Sequence, residues 1–218
     1  CSLDYLGNIH CWGLGEKSWK APSSLKAKRL DVGRSHACAV GLNNSVYCWG
    51  DNENADGVPA GKTEVPLDLG EAIDLAVGAD HTCAILKNRT VQCWGIGSPD
   101  SNIEIDNYNQ GSPPDSIQDV VQIDAGYYHT CILSKLGKVK CWGQDTDPNA
   151  CLGDNCAQNS PPTGLIATAI ATGGFHTCAI EKSGNVRCWG SNSDGQINVP
   201  YNLRKSVAIA AGTFHTCA

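Results

Sequence analysis

No methionine occurs in the 218 residues, and the chain opens on Cys1 without a signal peptide. Both features fit a processed or partial chain whose targeting information lies upstream. No apolar run approaches the ~18 residues that cross a bilayer as a helix. The longest, around Leu165–Ala171, has the length of a short strand or core segment. Lysines and arginines are scattered singly in a chain of net charge −6, which excludes a nucleic-acid surface, because such surfaces cluster cations against phosphates. Sustained i, i+3, i+4 apolar spacing with helix caps is also lacking.

What is present is turn chemistry. The chain holds 24 glycines and 10 prolines, with many Asn, Asp and Ser between short β-branched segments, and predicts an all-β fold. A repeat organises these segments. Cys-Trp-Gly occurs at Cys11–Gly13, Cys48–Gly50, Cys93–Gly95, Cys141–Gly143 and Cys188–Gly190. A second cysteine lies ten positions earlier each time, at Cys1, Cys38, Cys83, Cys131 and Cys178. Gly-x-x-His-x-Cys leads into the last four of these, and the same phrase returns at Gly212–Cys217.

Turn formers occupy the middle of each ten-residue interval and strand formers its flanks, as in Ala-Ile-Glu, Lys-Ser-Gly-Asn, Val-Arg between Cys178 and Cys188. A hairpin folded there sets the two cysteines opposite each other, within reach of a disulfide. It also places Thr177 opposite Trp189 on the other side of the sheet. First cysteines are separated by 37, 45, 48, 47 and 39 residues. That is the length of about four short strands, the size of a propeller blade. A lone hairpin is marginal in water, so the units must stack. The expected architecture is a β-propeller of four-stranded blades forming one domain over 1–218. Its units run approximately 1–37, 38–82, 83–130, 131–177 and 178–216, followed by the start of a sixth.

Gly-x-x-His-Thr-Cys-Ala-(Ile/Leu), a turn, then Val-x-Cys-Trp-Gly-x-Asn-x-x-Gly-Gln resembles the repeat of the regulator of chromosome condensation superfamily. The similarity is greatest to its cysteine-containing branch in secreted and bacterial proteins. Asp51-Asn52 and Ser191–Gln196 match the repeat's tail. The resemblance implies a seven-bladed ring, of which five hairpins and part of a sixth lie in this chain.

Of 13 cysteines, ten form the five hairpin pairs, and Cys151 with Cys156 is expected to close a small loop in a linker. Cys217 is left over, and its partner is expected in a Cys-Trp-Gly beyond the terminus. Zinc is the competing reading, but each hairpin offers one His and two Cys with no fourth constant ligand. A bridge of this span contributes about 2.7 kcal/mol by loop-closure entropy, and its persistence implies an extracellular, periplasmic or cell-surface protein. Two N-glycosylation triplets, Asn43-Asn44-Ser45 and Asn88-Arg89-Thr90, fall at predicted hairpin tips.

The recurring histidines His36, His81, His129, His176 and His215 are expected to hydrogen-bond backbone, since a catalytic site needs one asymmetric constellation. No catalytic motif, metal site or cofactor motif is present. Asp51–Gly57 lacks a calcium register, and Asp145, Asp147 and Asp154 near the Cys151–Cys156 loop are a second, weak calcium candidate. Binding is expected where the repeat varies, chiefly in the two residues between Gly and His. There Arg34, Asp80, Tyr127, Tyr128, Phe175 and Phe214 are the candidate partner contacts. The alternative is that the phenylalanines only cap blade junctions. The linkers Ser98–Asp115, with Tyr108, and Gln144–Pro162 vary as well. In similar propellers, including one that inhibits β-lactamases, this loop face meets the partner. The sequence thus reads as a non-catalytic, secreted or surface-exposed protein-binding module. The alternatives are a guanine-nucleotide exchange regulator or a propeller enzyme with its site in other blades.

Overall fold

The computed structural model of the chain describes residues 1–13, 20–99, 104, 107–144 and 157–218. Among these are sixteen strands in six antiparallel sheets and no helix. The first blade pairs β1 (Ser2–Leu3) with β2 (Ile9–His10). The second holds β3 (Ala27–Val32), β4 (His36–Gly41) and β5 (Val46–Gly50). The third holds β6 (Ala72–Val77), β7 (His81–Leu86) and β8 (Val91–Gly95), and the fourth β9 (Val120–Ala125), β10 (His129–Ser134) and β11 (Val139–Gly143). In the fifth are β12 (Ala167–Thr172), β13 (His176–Glu181) and β14 (Val186–Gly190); the sixth pairs β15 (Ala210–Ala211) with β16 (Thr216–Cys217). From the second blade on, the apolar lead-in is the inner strand of the sheet, so each of these sheets straddles the boundary of a unit counted from cysteine to cysteine.

Among the described residues the full sheets have three strands each, one fewer than unit length suggests. In the second blade the remaining residues are spent on turns. Asn54 Oδ1 accepts the amides of Asp56 and Val58, and Pro59 and Pro66 have no amide to give a ladder.

Hairpin register follows the cysteine spacing. Cys38 faces Cys48, Cys83 faces Cys93, Cys131 faces Cys141 and Cys178 faces Cys188. All four pairs and Cys1–Cys11 are disulfides with Cα atoms 3.9–4.1 Å apart. The Gly41 amide bonds Ser45 O at the hairpin end. Counting back in twos then puts Cys38 and Cys48 at a narrow, non-hydrogen-bonded pair, where a bridge fits. Asp145, Asp147, Cys151, Asp154 and Cys156 lie outside the described residues, and Cys217 is exposed without a partner among them.

Stacking buries what one sheet cannot. Trp94 packs with Cys38, Val40 and Val46 of the blade before it. Trp142 meets Cys83, Ile85 and Cys93, and Trp189 meets Cys131 and Leu133. Trp49 meets Cys1, Leu3, Ile9 and Cys11. Each tryptophan therefore lies on the preceding disulfide, which stabilises the junction by about 1.5–3 kcal/mol per ring buried.

Two backbone contacts fix the angle between blades. At the hairpin tips, the carbonyls of Asn44, Arg89, Gly137 and Gly184 accept the amides of Ala72, Val120, Ala167 and Ser206 in the next unit. Near the axis, Gly33, Gly78, Gly126, Gly173 and Gly212 line a cavity of about 220 Å³. A Cβ on Gly78 would stand 2.8 Å from Gly126 O, and one on Gly126 2.4 Å from Gly173 O. The glycine is required both by this close approach of neighbouring strands and by the ring of the repeat's own histidine, His81 or His129, which such a Cβ would meet first.

Candidate functional site

The loops between each inner strand and the following histidine form one face of the arc, and a repeated relay supports that face. Thr82, Thr130 and Thr177 lie opposite Trp94, Trp142 and Trp189. Their hydroxyls donate to the carbonyls of Lys62, Gln110 and Gln158 at 2.9–3.0 Å. The same carbonyls accept the indole N–H of those tryptophans at 2.8–3.0 Å. Having donated, each hydroxyl is free to accept, and the histidine of the preceding blade supplies the proton. His36 reaches Thr82, His81 reaches Thr130 and His129 reaches Thr177, at 2.8–2.9 Å. His176 reaches Thr216 in the same way, and Thr216 donates to Gln196 O. The histidines thus bond a threonine hydroxyl of the next blade, not backbone as the sequence suggested; the backbone contact is one step further on.

The relay fixes the tautomer. Nε2 carries the proton, and among the described residues the bare Nδ1 has no partner in His36, His81, His129 or His176. Burial holds the first three down to about 3 and His176 to about 4, so these rings are neutral at neutral pH. They are scaffold.

Above the relay the junctions differ. Between the second and third blades Lys62 takes the position that Gln110, Gln158 and Gln196 fill elsewhere. Its ammonium donates to Asp80 Oδ1 at 2.7 Å, Ser35 Oγ at 2.9 Å and Glu53 O at 2.6 Å. Lys62 is 1% exposed and Asp80 2%. Asp80 is therefore not a surface contact, as its place in the loop suggested, because its carboxylate is consumed in a dry ion pair. Sequence reasoning passed over Lys62; the signal was Gly61-Lys62 standing where the fifth repeat ends in Gly195-Gln196.

Between the fourth and fifth blades the same loop positions carry rings. Tyr127 lies 5.4 Å from Phe175 and 6.3 Å from Tyr128, centroid to centroid, and Tyr128 lies 6.1 Å from Phe175. Tyr108, from the linker before β9, adds an edge contact to Tyr128 at 5.3 Å. All four remain partly exposed. Tyr127 Oη lies 3.0 Å from Thr213 Oγ1, and the Tyr127 amide bonds Gly174 O. The cluster is thereby tied within the fifth blade and on to the sixth. Phe214 is 54% exposed outside it, and Arg34 is exposed at the rim of the axial cavity.

The inner strands carry partly buried carboxyls. Asp31 accepts the amide of Val77 across the blade junction at 2.7 Å, and Asp124 accepts that of Thr172 at 2.8 Å. Burial raises both, Asp124 to about 7 with help from the nearby Asp31 charge. Both oxygens of each are bonded to amides, so they act as junction clamps. Among the described residues no group of three or more His, Cys, Asp or Glu side chains is placed to hold a metal.

The profile of the regulator of chromosome condensation (RCC1) repeat matches residues 27–55, 72–98, 120–147 and 167–196, together just over half of the sequence. The chain belongs to this repeat family. Each match begins at an inner strand and extends past Cys-Trp-Gly, so the RCC1 repeat coincides with the observed sheet. Comparison with curated proteins gives no match. Among solved structures, the chain is similar to the entire ectodomain of the receptor kinase CR4 from Physcomitrella patens. Identity there is 26%, with TM-score 0.67 over 90% of this chain and 49% of that one. The ectodomain of the receptor kinase ACR4 from Arabidopsis thaliana matches at 23% identity and TM-score 0.59, over 77% of this chain and 51% of that one. Prp20p from Saccharomyces cerevisiae, a structure described with its binding to Gsp1p and histones, matches at 19% identity and TM-score 0.63, over 84% and 53%. The chain spans about half the length of these structures, which share its RCC1-like propeller fold.

Proposed function

We propose that this RCC1-repeat chain is a single propeller domain that acts outside the reducing cytosol as a non-catalytic protein-binding module. Its contact surface is the loop face carrying Tyr108, Tyr127, Tyr128 and Phe175. The observation that carries the reading is this cluster of four partly exposed rings on loops held rigid by the histidine–threonine relay. Aromatic anchors bring large contact area at little ordering cost. Phe214 and Arg34 extend the surface, Arg34 supplying its positive charge. A disulfide in every complete hairpin supports the compartment, as does the likeness to two receptor-kinase ectodomains.

The test is to immobilise the disulfide-intact protein and compare capture of extracellular proteins by wild type and by the triple variant Tyr127→Ala, Tyr128→Ala, Phe175→Ala. A variant in the opposite, hairpin-tip face (Leu136→Ala) serves as control. The expected result is a partner lost at least tenfold by the triple variant alone. Equal capture by all three proteins removes this face from the function.

A further inference from the structure

The two adjacent blades with a sequon at the hairpin tip differ in how that tip is built. In both, the middle residue has a positive φ of 68° (Asn44 and Arg89), where the fourth and fifth blades use Gly137 and Gly184. The carbonyl of this residue is held by the next blade, through Ala72 N to Asn44 O and Val120 N to Arg89 O. The sequon asparagine is thus displayed outward from a fixed turn, and Asn43 and Asn88 are both exposed.

Their amides are engaged differently. Asn88 Oδ1 accepts the Thr90 amide at 3.1 Å and the Thr90 hydroxyl at 2.7 Å. Its Nδ2 makes no hydrogen bond among the described residues. Asn43 Oδ1 accepts the Ser45 amide, but its Nδ2 donates to Tyr47 Oη at 3.0 Å. The nitrogen that must react is open in one tip and engaged in the other.

We propose that Asn88, and at lower occupancy Asn43, are acceptors for N-linked glycans. In the transfer the amide nitrogen forms a bond to C1 of an oligosaccharide carried on a polyprenyl diphosphate. The C1–O bond to the diphosphate breaks, the amide loses one proton, and polyprenyl diphosphate departs. Each β-strand from histidine to tip has six residues, as in His36–Gly41 and His81–Leu86, so the glycans stand roughly 17 Å from the loop face. They cover the opposite side of two neighbouring blades and leave Tyr127, Tyr128 and Phe175 clear. The inference rests on tip geometry alone and not on what the loop face binds.

The experiment directs the chain into a eukaryotic secretory pathway behind a cleavable leader and measures intact mass, in secreted and microsomal fractions, before and after peptide N-glycosidase. Wild type is expected to lose the mass of one or two glycans, with deamidation at Asn88 in the larger fraction of molecules. Asn88→Gln and Thr90→Ala should each abolish that fraction, the second while retaining the asparagine, and Asn43→Gln should remove only the minor species. Disulfide-bonded protein whose mass the glycosidase leaves unchanged overturns the proposal. Occupancy at Asn43 equal to or above that at Asn88 overturns the ordering and its geometric cause.

Discussion

The junction between the second and third blades and that between the fourth and fifth rest on one relay of histidine, threonine, carbonyl and tryptophan, yet end in opposite surfaces. The first is closed by Lys62, Asp80 and Ser35, all drawn inward. The second keeps Tyr127, Tyr128 and Phe175 partly in solvent. Two or three variable positions per unit separate a sealed seam from one edged with partly exposed rings, because the relay beneath is the same in both. Constant residues set where blades sit, and variable ones set what a junction presents.

The largest expected effect strikes both junctions equally. His36, His81, His129 and His176 are held far below their ordinary value, to about 3 or 4. In that case the unfolded chain binds the extra protons, so their contribution is present above pH ~6.5 and lost as pH falls towards 3, on the order of several kcal/mol per ring. Asp124, raised to about 7, works the other way: its contribution is present below pH ~4 and lost as pH rises through 7. Asp31 and Asp74 are raised in the same direction, and the four histidines outweigh these three aspartates. Thermal melts should fall steeply between pH 6 and 4 even with disulfides intact, and a flat profile would remove the neutral relay.

The next effect separates the junctions. Asp80→Ala leaves a buried, unpaired ammonium, and a loss of about 3–5 kcal/mol is expected in denaturant unfolding. Lys62→Gln with Asp80→Asn, which restores the repeat's usual glutamine and removes both charges, should lose less than Asp80→Ala. If it loses more, the ion pair is a net stabiliser and not a local replacement for glutamine. Below this, Thr82→Val and Thr177→Val each leave a histidine N–H unmet and should cost about 1–3 kcal/mol by the same measurement. Equal costs would show that the relay is indifferent to what lies above it. Smallest, Tyr128→Ala should change stability by about 1 kcal/mol, since its ring is already partly solvated and its edge contacts are weak, while partner capture falls far more.

Hairpins, the pairing of the hairpin disulfides and the scaffold role of histidine were legible in the sequence because they depend on local spacing. A ten-residue interval with turn formers in its middle has one sensible register, and a residue recurring once per unit belongs to the unit. Thr177 opposite Trp189 follows from that count alone. Tertiary structure decided the partners across blades, which have no fixed separation in the chain. The histidine's acceptor is a threonine 40–49 residues away, Asp80 turns inward because Lys62 waits 18 residues earlier, and Tyr108 joins Tyr128 from a linker of irregular length. Which loop residues face water is a property of the stacked junction, since burial there is completed by atoms that the neighbouring blade supplies.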